Sequence, residues 1–145
     1  MVVACLLLLL AATPAQARRA TSSDSAILAA INAARSVRGL APVAADPVLT
    51  HAAVAHSADM IRRQYFDHGA FAARLRSFGA RGPRFGETLS WSSGMSGRAI
   101  VADWLTSPPH RTILLRPGFV RVGVGAVEGR FQGWSLLVTA DFAGS

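Results

Sequence analysis

Between Val120 and Phe142 the chain carries two runs in which apolar side chains recur at every second position. Val120, Val122 and Val124 alternate with Arg and Gly, and Trp134, Leu136, Val138, Ala140 and Phe142 follow. The stretch from Glu128 to Gly133 lies between them, so the pair predicts a hairpin with one face turned to a core. A lone two-stranded ribbon cannot bury such a face, so other elements must cover it. Ser22-Ser23-Asp24 are N-cap types ahead of Ile27, Leu28, Ile31 and Ala34, which form one helical face, and Gly39 ends that helix. Asp46-Pro47 opens a second helix with Leu49, Ala53, His56 and Met60 inward and His51, Asp59 and Arg62 on the other side. A third, from Ser96 to Leu105, turns Ile100, Val101, Trp104 and Leu105 inward and is stopped by Pro108-Pro109. Glu87 to Ser92 supplies a further strand. Helices before, between and around these strands predict an α+β fold: a three-layer αβα sandwich on a short, mainly antiparallel central sheet.

The 145 residues suffice for one core and not comfortably for two. At 51% hydrophobic and 16% charged the composition excludes a disordered chain. Met1 to Ala12 is almost wholly apolar, and Ala15-Gln16-Ala17 supplies the small-x-small pattern of a signal-peptidase site. The expected organisation is a signal peptide over 1–17 and a single domain over 18–145, exported to the envelope or the medium. The apolar run falls short of the ~20 residues a spanning helix needs, so no transmembrane segment is expected after cleavage. Cleavage after Ala17 would also remove Cys5, the only cysteine, leaving a mature domain held by its core alone.

All fifteen basic residues are Arg, and with eight acidic residues they give a net charge of +7. Such a surface suits an anionic lipid or an acidic envelope polymer, and it equally fits a codon bias toward Arg. The arginines are scattered without interleaved aromatics, which predicts no dedicated nucleic-acid surface. Trp91, Trp104 and Trp134 each fall on an apolar periodicity and read as core residues. Asn32 and Arg35, one turn apart, read as ties from the first helix to a neighbouring loop.

Few residues could carry chemistry. No Gly-x-Ser-x-Gly elbow, phosphate-binding loop or His-Glu-x-x-His helix is present. What remains is His68 in Tyr65-Phe66-Asp67-His68-Gly69, Glu87 in Gly86-Glu87-Thr88, and His110 in Ser107-Pro108-Pro109-His110-Arg111. Two imidazoles and a carboxylate are suitable ligands for a divalent metal such as zinc, with a position left open for water. The same trio could instead pair a general base with a polarising acid. Each stands at the end of an element, where loops gather on a rigid scaffold, so the three are expected to converge in one cleft. His56, on the inner stripe of its helix, reads as a buried histidine that supports that cleft.

The order of blocks is similar to a known family. Asn32-x-x-Arg35 with Gly39-Leu40-x-Pro42, Asp46-Pro47-x-Leu49, Ala53-x-x-His56-Ser57-x-Asp59-Met60, Tyr65-Phe66-Asp67-His68, Gly86-Glu87, Trp104-Leu105-x-Ser107-x-x-His110-Arg111, Leu114-Leu115, Gly123-x-Gly125 and Asp141-Phe142 resemble the bacterial branch of the CAP superfamily. That superfamily holds the cysteine-rich secretory proteins, antigen 5 and the plant pathogenesis-related proteins. The resemblance implies a secreted αβα sandwich with His68 and Glu87 in one central cleft. In eukaryotic members a Glu three residues after the Trp and a later His complete a tetrad able to hold a metal; here Ser107 takes the first place, and His110 is the implied substitute. Thr88 stands where Asn usually follows Gly-Glu, and Pro109 where Gly usually precedes His. Ser107 and Thr88 are therefore expected to neighbour the site. The resemblance implies a secreted module binding a lipid, peptide or envelope component; the alternative is a metal-assisted, protease-like hydrolase using His68, Glu87 and His110.

Overall fold

The computed structural model describes the backbone of residues 14–145 and the side chains from residue 23 onward. The apolar run of the expected signal peptide lies outside the described residues. Among the described residues five helices and four strands follow one another as α1 (Pro14–Ser36), β1 (Ala44–Ala45), α2 (Pro47–Arg63), α3 (Phe71–Ser77), β2 (Phe85–Ser92), α4 (Gly97–Thr106), α5 (Pro108–Leu114), β3 (Phe119–Arg130) and β4 (Trp134–Gly144). The sheet order is β1-β3-β4-β2. β3 and β4 form the expected hairpin, β2 lies antiparallel on β4, and β1 adds a two-residue parallel pairing to β3. The sheet is thus mixed rather than mainly antiparallel, because the chain crosses from one outer edge to the other through α2 and α3.

One face of the sheet packs on α1 and α4. Val122, Val124 and Ala126 of β3 and Val138, Ala140 and Phe142 of β4 meet Ile27, Ile31, Ile100, Val101 and Trp104. The period-2 pattern and the two helical stripes therefore bury one another, which is the largest apolar cluster of the fold. Val120 departs from the expected alternation: a register irregularity between Phe119 and Arg121 turns it outward, 38% exposed. The opposite face carries α2. There β3 offers Gly123 and Gly125, where an added Cβ would lie only 2.0 and 2.2 Å from the α2 backbone. The helix rests on the strand without intervening side chains, and Ser57 fixes the contact by donating to the Gly125 carbonyl at 2.8 Å.

Local signals explain most boundaries. Asp46 caps α2, accepting from the amides of Val48 and Leu49, and Ser96 caps α4 through the Ala99 amide. Asp24, expected as a cap, lies inside α1 and instead accepts the Ala126 amide at 2.8 Å. It thereby satisfies a β3 donor beyond the short β1 pairing. Pro108-Pro109 does more than stop α4: the pair opens α5, whose first turn carries His110. Asn32 exchanges hydrogen bonds with Val43, and the buried Arg35 guanidinium donates to the carbonyls of Ala41, Leu114, Arg116 and Phe119. Among the described residues no helix is long and apolar enough to cross a membrane.

Candidate functional site

Alternation along β2 places Glu87, Leu89 and Trp91 on the α2 face of the sheet, and the loop after α2 runs beside them. The loop is positioned from below. His56 is buried on α2, and its Nε2 lies 3.0 Å from the Asp67 carbonyl oxygen, so the tautomer protonated at Nε2 donates there. Burial holds the His56 pKa below its ordinary value, which keeps the imidazole neutral. The next residue is His68, whose Nδ1 meets Glu87 Oε1 at 2.7 Å. Its side chain is 48% exposed while that of Glu87 is fully buried. The hydrogen bond to Glu87 raises the His68 pKa, burial opposing it.

The second Glu87 oxygen, Oε2, accepts from Arg74 on α3. Arg74 also donates through Nη1 to the His68 carbonyl at 3.1 Å and lies 3.7 Å from Asp141 Oδ1. Asp141 faces Glu87 across the β2–β4 ladder. Neither of its oxygens has a donor, but in the protonated form the carboxyl gains a partner by donating to Glu87. Burial, followed by the nearby Glu87 charge, pushes its pKa up to about 9.

The structure therefore brings His68 and Glu87 into direct contact. His110 stands near enough for the His68 charge to help burial lower its pKa, yet its buried Nδ1 has no hydrogen-bond partner. Ser107 sits at the α4–α5 junction, where its side chain makes no capping hydrogen bond. Thr88 points to the opposite face of β2 from Glu87, fully buried and with Oγ1 unpartnered. Its expected place beside the cleft is corrected by strand alternation alone. The periodicity also misled on two tryptophans: Trp104 is buried, but Trp91 is 42% and Trp134 is 61% exposed.

Sequence reasoning missed Arg74, on a helix too short to show a period, and the site role of Asp141. An acid embedded between Ala140 and Phe142 in an otherwise apolar strand was the available signal. The ligand set expected from His68, Glu87 and His110 is not preformed among the described residues. Among the described residues no group of three or more His, Cys, Asp or Glu side chains is placed to hold one. Each Glu87 oxygen is also engaged by a protein donor.

Beyond this cluster, Phe66 lies 6.4 Å from Trp91, and Trp91 meets Phe131 edge-on at 5.2 Å. The Trp91 indole N–H donates to Ser135 Oγ, which in turn donates to the Phe131 carbonyl. A cavity of about 970 Å³ lies elsewhere, between α1 and α4, and is lined by none of the polar cluster. A smaller one of about 540 Å³ is lined by His56, Tyr65 and Arg74.

Residues 28–142 match the model of the CAP family, the cysteine-rich secretory protein family. The chain belongs to the CAP family. Among relatives, the Bacillus subtilis protein YkwD is 35% identical over 102 residues, covering 67% of this chain and 39% of its own length. The B. subtilis membrane protein YlbC is 33% identical over 110 residues, covering 72% of this chain and 32% of its own length. This CAP domain thus spans roughly a third to two-fifths of those relatives. An extracellular SCP-domain protein from Bacillus anthracis superposes with a TM-score of 0.82 at 27% identity, covering 93% of this chain and 45% of its own.

Proposed function

We propose that this CAP domain is a secreted binding module that takes an elongated component of the cell envelope, a peptide or glycan segment, along the face of the edge strand β2. One observation carries the reading: an ionic pair and an aromatic platform lie in register on the same face. His68 pairs with Glu87, and two residues earlier Phe66 packs by Trp91, four residues beyond Glu87 on the strand. At ~3.3 Å per strand residue the two ends are about 13 Å apart. Phe66 and Trp91 are each 42% exposed, and the Trp91 N–H is already used internally, so the rings present fixed faces to a partner. The extracellular character of the B. anthracis protein and the family description support export; YlbC, named a membrane protein, also fits action at the envelope.

A hydrolase reading is favoured by the dyad itself, in which a buried carboxylate orients a half-exposed imidazole as a general base would need. The two are separated by incubating purified protein with envelope fractions. Saturable retention weakened by both Trp91→Ala and His68→Ala, without released product, is expected. Multiple-turnover release of product that Glu87→Gln abolishes would establish the hydrolase instead.

A further inference from the structure

We propose that Arg74 is the resident cation of this cleft, engaging the Glu87 carboxylate that the family resemblance would offer to a divalent metal. One guanidinium, only 17% exposed, reaches three separate parts of the fold. It donates to Glu87 Oε2 on β2, approaches Asp141 Oδ1 on β4 at 3.7 Å, and donates to the His68 carbonyl in the loop at 3.1 Å. Neutralising the buried Glu87 carboxylate while drawing a loop toward it is what a bound cation would accomplish here. The forked geometry of Arg serves better than the point charge of Lys, because it satisfies a carboxylate and a carbonyl at once.

A divalent ion at Glu87 would meet this fixed positive charge at close range and would compete with the guanidinium and His68 for the carboxylate. Arg does not lose its proton and cannot be chelated, so the His68 loop is held whatever the metal supply. Arg74 is therefore a positioning residue that also sets specificity against divalent cations. The inference concerns the same site as the binding reading and does not depend on the identity of the envelope ligand.

The test is calorimetric titration of the full chain with Zn²⁺, together with thermal melts in zinc and in chelator, for wild type, Arg74→Ala and Arg74→Lys. Wild type and Arg74→Lys should show no saturable zinc binding at submillimolar concentration and unchanged melting. Arg74→Ala should melt lower without metal, rise with zinc, and bind one ion about tenfold or more tighter than wild type. Adding Glu87→Gln should remove that gain. In nuclear magnetic resonance the His68 imidazole signals should shift in Arg74→Ala and return toward wild type in Arg74→Lys. Stoichiometric zinc binding by wild type that Glu87→Gln abolishes would overturn the proposal, as would an Arg74→Ala protein that folds yet stays as indifferent to zinc as the parent. If Arg74→Ala folds under no condition, the wild-type and Arg74→Lys titrations decide alone.

Discussion

At Glu87 a single carboxylate governs two neighbours in opposite ways. It stabilises the imidazolium of His68 and opposes ionisation of Asp141. Because the folded pKa of His68 lies above the unfolded value of about 6.5, its pairing contributes fully below that value and is lost as pH rises through the folded pKa. Glu87→Gln should return the His68 pKa toward about 6.5, read from its imidazole resonances across a pH titration. An unchanged value would mean that Glu87 is not what raises it. Asp141 is an acid whose folded pKa is raised, so the unfolded chain gives up that proton first. Stability from this group is complete below about pH 4 and declines as pH climbs toward 9. Asp141→Asn keeps a donor to Glu87 and removes the ionisation, so urea midpoints should lose that decline. A variant with the parent's pH slope would contradict the assignment. His68 and Glu87, which meet in the structure, were legible as candidates in the sequence because each stands in a short polar motif. Arg74 was not: it is one of fifteen arginines, and only the folded register of α3 against β2 distinguishes it.

Elements were readable where periodicity ran long enough to declare itself. The inner stripe of α2 is as predicted, with Leu49, Ala53, His56 and Met60 buried and His51 and Arg62 exposed. α3 has seven residues, about two turns, and β1 has two, which is too short for a period to stand out from chance. The α4 boundary was clear from Ser96, but the proline pair was read as a terminator when its fixed φ equally begins a helix. Caps and close contacts make the predictions at this scale. Asp46→Ala deprives α2 of its cap and Arg121 of a partner at 2.7 Å, with an expected loss of about 1 to 2 kcal/mol in chemical denaturation. Gly125→Ala would press a methyl group against the Val54 amide and Ala53 carbonyl carbon, both backbone atoms that cannot yield without moving α2. A loss of about 3 kcal/mol or more is expected, and because His56 rides on that helix, the His68 resonances should move as well. A Gly125→Ala protein as stable as the parent would show that α2 slides freely over β3.

For the molecule as a whole, the sandwich followed from pattern, because two helical stripes and an alternating hairpin leave few other ways to bury their apolar faces. The parallel β1 pairing did not follow, since its register arises from the return path of the chain rather than from Ala44 and Ala45 themselves. The net charge of +7 makes a prediction that belongs to no single residue. Retention on anionic vesicles should fall steeply between low and physiological salt, where exposed charges are screened beyond ~8 Å. Equal retention on neutral and anionic vesicles would assign the arginine excess to codon usage. The unequal burial of the three tryptophans has a practical consequence. Trp104 lies in the core with its indole N–H on the Leu89 carbonyl, and Trp134 stands on the far side of the hairpin end beside Met95. Of the three, Trp91 alone lies beside Phe66 on the proposed binding face, so replacing Trp134 with Phe would leave one solvent-sensitive fluorophore there, and the protein would carry its own optical gauge of occupancy. A blue shift of that emission on adding an envelope fraction would count bound molecules without a label.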